Sequence, residues 1–326
     1  MTDAKPIVVI TEPEYRKGEE CFLAARGVEC RYAPAAEEEL AAVIRDARAK
    51  YVIVGPRPYI GPLYDALPAG GVIARFGIGH DGIDKPRATA RRLLCTNTPG
   101  VLDQSVAEYT LLLIAAAAKR LPSAIQTMGS GGWYMPAGRD LQGTTVAVIG
   151  CGGIGRAVAR VASMGYGMNV VGCTKLGAPP PAAIDHMQRV TNDFADAVRD
   201  ADFVSLHIPS RPSTHRFINR ERLAYLSERA WFVNTSRGAV VDEAALLDVL
   251  ASGRIAGAAL DVFAREPYEP AEGSGDLRSL PNVILTPHIG SATEEANRRM
   301  AERALRNIRF AHAGDLERMD LVNRHI

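Results

Sequence analysis

The chain has 326 residues, enough for two compact domains, and its 47% apolar and 23% charged residues exclude a disordered chain. Lysine plus arginine number 38 against 37 aspartates plus glutamates, a formal net charge of +1, so the charge balance steers the protein toward neither nucleic acid nor an anionic membrane. The amino terminus lacks the apolar stretch of a secretion signal, and the longest apolar run, Leu111–Ala118, falls far short of the roughly 20 residues that cross a bilayer. Cysteines 21, 30, 95, 151 and 173 form neither a disulfide framework nor a set with metal-ligand spacing. The expectation is a soluble, cytoplasmic protein of a reducing compartment, with no bound metal, no nucleic-acid partner and no membrane.

Short β-branched runs alternate with amphipathic stretches along the chain. Ile7–Ile10, Tyr51–Val54, Val72–Phe76, Val146–Ile149, Asn169–Gly172, Phe203–Leu206, Trp231–Asn234, Ala258–Asp261 and Val283–Thr286 read as strands. Several lack polar alternation, which suits parallel strands covered on both faces. Segments such as 38–44 and 243–250 carry helical spacing, and the regular alternation predicts a doubly wound α/β architecture. Val106–Arg120 reads as a helix apolar nearly all round, hence buried, in part by another subunit. The last forty residues read as a helix with an apolar stripe at Ala296, Met300, Ala304 and Ile308 and a solvated charged face.

The most informative local segment is residues 145–160. Gly150, Gly152, Gly153, Ile154 and Gly155 complete G-x-G-x-x-G directly after a strand and directly before a helix. The first glycine serves a tight turn, the second close approach of backbone to a pyrophosphate, and the third helix–strand packing, while the helix start offers N–H groups to the phosphates. A dinucleotide is therefore expected here. An NAD site places an acid about 20 residues past the glycines for the ribose 2′-hydroxyl. At that place the chain has Thr174 and Lys175, a hydroxyl and a positive charge that suit a 2′-phosphate. NADP(H) is the preferred coenzyme on this reading, with NAD(H) as the alternative.

Three later strand ends carry polar residues that a purely structural sheet does not need: Arg237 after Trp231–Asn234, Asp261 and Glu266 after 257–260, and His288 after Val283–Thr286. Ligands of open α/β sheets sit at the carboxyl ends of strands. An arginine grips a carboxylate in a bidentate fork, an imidazolium hands a proton to a carbonyl oxygen, and a carboxylate orients that imidazole. Together they suit hydride transfer to a 2-oxo acid. Arg57, in the loop after Tyr51–Val54, is a further candidate for contact with substrate.

At these residues the chain resembles the D-isomer-specific 2-hydroxyacid dehydrogenase family, and the resemblance runs from about Ala49 to Asn297. Besides the segments above, it rests on 76–84 (FGIGHDGID), 96–108 (TNTPGVLDQSVAE) and 206–215 (LHIPSRPSTH). It implies that Arg237 orients substrate, Glu266 supports the imidazole, His288 transfers the proton, and Asp261 accepts from the nicotinamide carboxamide. Backbone amides at Ile78 and Gly79 would bind the substrate carboxylate, and His207, Ile208 and Pro209, with Thr214 following, would flank the adenosine. It further implies a discontinuous flavodoxin-like substrate domain, 1–97 and 289–326, a Rossmann nucleotide domain, 98–288, and a homodimer joined through the nucleotide domain by the apolar helix and the Gly129–Tyr134 loop. Gly153 stands where many relatives carry a basic residue, and 268–278 is longer than usual. The implied activity is reduction of glyoxylate, hydroxypyruvate or a sugar-derived 2-keto acid. The alternatives are a phosphoglycerate-type dehydrogenase, which needs more positive charge than Arg57 alone provides, and a non-catalytic dinucleotide-sensing corepressor.

Overall fold

The computed structural model describes residues 5–174, 182–270 and 275–324. The chain divides into two compact units, Met1–Leu102 with Ala292–Ile326, and Asp103–Ser291. The seams lie at 102/103 and 291/292 instead of the expected 97/98 and 288/289. Residues 98–101 stay with the first unit because the Thr98 amide donates to the Gly77 carbonyl at 3.0 Å and Arg299 Nε donates to the Val101 carbonyl at 2.8 Å.

In the first unit, β1 (Ile7–Thr11), β2 (Glu29–Ala33), β3 (Tyr51–Val54), β4 (Val72–Arg75) and β5 (Leu94–Thr96) form a parallel sheet in the order β2-β1-β3-β4-β5. The central strands β3 and β4 are buried at every position, as their unbroken apolar runs demand. Helix Glu294–Ala313 covers this sheet with the expected stripe: Ala296, Met300, Ala304 and Ile308 are all buried.

In the second unit, β6 (Thr145–Ile149), β7 (Asn169–Cys173), β8 (Arg189–Thr191), β9 (Phe203–Leu206), β10 (Trp231–Asn234), β11 (Gly257–Leu260) and β12 (Val283–Leu285) make a parallel sheet ordered β12-β11-β10-β9-β6-β7-β8. Strand order reverses between β6 and β9, the switch point at which doubly wound sheets bind ligands beyond their carboxyl ends. Helices Asp103–Ala118 and Gly153–Tyr166 share an apolar cluster with β6 that includes Ile114, Val146, Val158 and Ala162.

All nine expected strands are present, with ends shifted by a residue at most. Three further strands, β2, β5 and β8, were not expected. β2 is an edge strand whose residues are largely exposed, and β5 and β8 are three residues long and hold at most two apolar residues in a row, so none carries a recognisable apolar run. The helix expected over Val106–Arg120 spans Asp103–Ala118, and one flank reaches the surface, with Leu112 55% exposed.

Candidate active site

The glycine turn follows β6 at the switch point. Gly150 adopts φ +103 and donates its amide to the Cys173 carbonyl at 2.9 Å, and a Cβ there would lie 2.7 Å from the His207 carbonyl oxygen. A Cβ on Gly155 would lie 2.1 Å from the Gly150 carbonyl oxygen, so helix and turn are in backbone contact. Gly152 is the N-cap of helix Gly153–Tyr166, and the space where its side chain would stand is open. Open backbone at the start of a 14-residue helix, with no acid in its first turn, is a cradle that fits a dinucleotide pyrophosphate.

Gly153 has a reason that the sequence reading missed. A Cβ there would lie 2.1 Å from Asp103 Oδ2, so the carboxylate of the neighbouring helix occupies the place of a side chain. Burial pushes the Asp103 carboxyl up.

The segment after β9 packs its backbone against the glycine turn. The His207 amide donates to the Ile149 carbonyl at 2.7 Å, while its Nε2 turns back to Ser205 Oγ at 2.9 Å; burial of the ring pulls its pKa down to about 3. Ile208 lies against Gly150, Pro209 is exposed, and Thr214 closes the loop by donating its hydroxyl to the Pro209 carbonyl at 2.7 Å. Thr174, at the end of β7, donates its hydroxyl to the Thr191 carbonyl at 3.3 Å, a long bond within the sheet edge. Lys175 and residues 271–274 of the long loop lie outside the described residues.

The catalytic candidates converge at the carboxyl ends of β10, β11 and β12. His288 Nδ1 and Glu266 Oε2 are 2.7 Å apart, and Glu266 Oε1 accepts the Phe263 amide at 3.0 Å. Burial alone would raise the Glu266 carboxyl. The hydrogen bond and charge of His288, the Phe263 amide and the Arg237 charge outweigh it and hold the group below the usual carboxylate range. Arg237 is half-buried, with Nη1 donating to the Ser236 carbonyl at 2.7 Å and its own carbonyl held by Asn234 Nδ2 at 3.0 Å.

His288 has φ +56, a left-handed conformation that costs a β-carbon residue strain and persists only where the surroundings enforce it. Asp261 supplies the enforcement. Its Oδ1 accepts from Thr286 Oγ1 at 2.7 Å and from the Ile289 amide at 2.9 Å, and its Oδ2 accepts from the Gly290 amide at 2.8 Å. Burial pushes the Asp261 carboxyl up against the pull of those donors. The residue assigned to a carboxamide is thus first a clamp on the histidine loop. A second carboxylate escaped the sequence reading: Glu243 Oε1 accepts the Ala264 amide at 2.5 Å, bracing the segment that carries Glu266.

In the first unit, Arg57 is exposed and Ile78 and Gly79 are partly exposed, all beyond the carboxyl ends of β3 and β4. Among the described residues, nothing accepts a hydrogen bond from the Ile78 or Gly79 amide. Arg75 is buried beneath this turn, donating Nη1 to the Phe76 carbonyl and lying against Gly77.

Residues 111–290 match the family described as D-isomer specific 2-hydroxyacid dehydrogenase, NAD binding domain. A glyoxylate reductase of Thermococcus litoralis is 38% identical over 273 residues, covering 81% of this chain and 80% of that one. The crystal structure of an NADPH-dependent glyoxylate/hydroxypyruvate reductase from Sinorhizobium meliloti, with NADP and malonate, superposes with TM-score 0.79 at 29% identity and covers 95% of this chain and 94% of that one. A D-lactate dehydrogenase of Aquifex aeolicus, with NAD and lactic acid, gives TM-score 0.79 at 25% identity, covering 97% and 99%. The glycine turn, the three strand ends and these likenesses lead to one statement: the chain belongs to the D-isomer-specific 2-hydroxyacid dehydrogenase family and is an NAD(P)-dependent oxidoreductase.

Proposed function

We propose that the protein reduces small 2-oxo acids of the glyoxylate and hydroxypyruvate class to the corresponding D-2-hydroxy acids, with His288 as the proton donor, Glu266 as its support and Arg237 as the anchor of the substrate carboxylate and carbonyl. The observation that carries this is the 2.7 Å contact between Glu266 Oε2 and His288 Nδ1. With Nδ1 committed to the carboxylate, the proton that leaves is the one on Nε2. The bound nicotinamide coenzyme supplies the hydride. As charge develops on the carbonyl oxygen, His288 Nε2 delivers a proton to it, and Glu266 balances the imidazolium until that proton has gone. Arg237 offers a planar pair of donors to the carboxylate. In the first unit, the unclaimed Ile78 and Gly79 amides are the natural receivers of a carboxylate, and Arg57, exposed in the loop after β3, is a further candidate contact. Asp261, holding three donors, retains lone-pair capacity for the carboxamide.

NADP(H) is favoured over NAD(H) by the absence of an acid after β7, where Thr174 stands with Lys175 following. The protein acts as a homodimer: between residues 112 and 135 of the second unit, Leu112, Leu121, Ile125, Met128, Trp133, Tyr134 and Met135 are all exposed, an apolar surface that a second copy would cover. A cytoplasmic location fits the five free cysteines; no helix among the described residues is long and apolar enough to cross a membrane.

The test is a panel of 2-oxo acids assayed by oxidation of NADPH and of NADH. Glyoxylate or hydroxypyruvate turnover that falls about 100-fold or more in His288→Ala is expected. Near-wild-type turnover in that variant removes His288 from the mechanism, and a clear preference for NADH ends the NADP(H) assignment.

A further inference from the structure

Helix Glu294–Ala313 is amphipathic, yet Asn307 lies on its buried side with no solvent exposure at all. A buried amide persists only when its hydrogen bonds are made. Asn307 Nδ2 donates to the Asn97 carbonyl at 3.2 Å and to Asp320 Oδ2 at 3.1 Å, and its Oδ1 accepts the Asp320 amide at 2.9 Å. Asp320 is itself gripped in a fork by Arg303, with Nε–Oδ2 and Nη2–Oδ1 both at 2.6 Å. The carboxy-terminal segment is further pinned to β5: the Val322 amide donates to the Cys95 carbonyl at 2.9 Å, and Asn323 Oδ1 accepts the Cys95 amide at 3.0 Å.

This network ends on the turn after β4. Asn97 Nδ2 donates to the Ile78 carbonyl at 2.8 Å, and the neighbouring Thr98 amide donates to the Gly77 carbonyl at 3.0 Å. In a trans peptide the C=O of one residue and the N–H of the next point in opposite directions. Fixing the Gly77 and Ile78 carbonyls toward the β5 side therefore aims the Ile78 and Gly79 N–H groups the other way, side by side, where nothing among the described residues accepts from them. Two adjacent amides held in one direction make a receiver for an anion.

We propose that Asn97, locked by the Asn307–Asp320–Arg303 network, is a positioning residue that presents the Ile78 and Gly79 amides to the carboxylate of the 2-oxo acid. The carboxy-terminal helix and the strap at 319–323 thereby act on substrate affinity without touching substrate. The inference rests on the proposed reading that these amides receive the substrate carboxylate. Asn97 grips that carboxylate's receiver equally in ground and transition states, so its loss shows in KM before kcat.

The experiment compares Asn97→Ala and the isosteric Asn97→Asp, which puts an acceptor against the Ile78 carbonyl, with wild type in steady-state glyoxylate and hydroxypyruvate reduction. Hydrogen–deuterium exchange of the peptide covering 76–80 is followed in the same proteins. Asp320→Asn, which breaks the fork from the far end, is the milder variant should Asn97 variants fold poorly. The expected result is a rise of about tenfold in KM for the 2-oxo acid in both Asn97 variants and about threefold in Asp320→Asn. KM for the coenzyme and kcat stay within about threefold, and exchange over 76–80 is faster. A general loss of fold would instead disturb both KM values together. Folded variants with wild-type KM for the 2-oxo acid and unchanged exchange overturn the inference while leaving the proposed activity standing. A wild-type protein that reduces no 2-oxo acid overturns the activity and this inference with it.

Discussion

The Glu266–His288 contact brings an acid and a base together, and the strain in His288 says what it took to hold them there. The histidine sits at φ +56 because Asp261 seizes the residues on both sides of it, from Thr286 to Gly290. Asp261→Asn replaces one acceptor oxygen with an NH2 group facing an amide donor. It should cost about 1.5–3 kcal/mol locally and lower kcat at least tenfold, with a change in Tm of only a few degrees; a parallel measurement of kcat and thermal unfolding checks this. In Glu266→Gln the shape survives and the charge goes, so the imidazolium loses its counter-charge. A kcat for 2-oxo acid reduction about 10- to 100-fold below wild type is expected from stopped-flow and steady-state rates. Gly153 and Asp103 are coupled in the same direct way. Gly153→Ala drives a methyl group into the carboxylate, and coenzyme Kd measured by fluorescence titration should rise, while Asp103→Ala in the same chain should restore part of it. A double-mutant cycle with zero coupling contradicts the packing argument.

At the scale of elements, the carboxyl ends of β6, β9 and β10–β12 carry the candidate site residues, and a parallel sheet leaves those ends open while helices cover both faces. The segment after β9 illustrates the balance between packing and charge. His207 hangs its backbone against the glycine turn and buries its imidazole, whose pKa falls to about 3. The unfolded chain takes up that proton near pH 6.5 and the folded chain does not. Stability is thus fully retained above about pH 6.5 and declines as pH falls toward 3, by at most about 1.4 kcal/mol per pH unit. Thermal unfolding of wild type between pH 7 and 5 should show this slope, and His207→Asn should flatten it. The strands were read correctly wherever a run of β-branched and apolar residues was long enough to mark two buried faces. β2 escaped because its residues are largely exposed, and β5 and β8 because Leu94–Thr96 and Arg189–Thr191 hold at most two apolar residues in a row.

For the whole molecule, the exposed apolar run from Leu112 to Met135 is the feature a lone chain explains least. Val106–Arg120 reads as apolar nearly all round and buried in part by another subunit, and within one chain its Leu112 flank meets solvent. If two copies cover that surface, Trp133→Asp with Met135→Asp should convert the dimer to a monomer in sedimentation equilibrium, with the far-ultraviolet circular dichroism unchanged; a wild-type monomer under the same conditions rejects the assembly.

Much of the site was legible in the amino-acid order because it is written in short segments. The glycine turn, the Arg237, Glu266 and His288 strand ends and the Gly77–Gly79 turn each carry their chemistry within a dozen residues, where local backbone demands dictate residue type. What the chain order could not disclose is who stands behind those groups. Asp103 against Gly153, Glu243 beneath the Glu266 segment, and Asn307 holding Asn97 join residues far apart in sequence. Aspartate, glutamate and asparagine in helices look like ordinary solvated residues until folding brings a partner and removes the water. Local periodicity and glycine chemistry therefore determined the architecture and the candidate groups of the site, whereas the supports that orient those groups were decided only by tertiary packing, since a buried hydrogen bond is a property of two distant segments and of the solvent excluded between them.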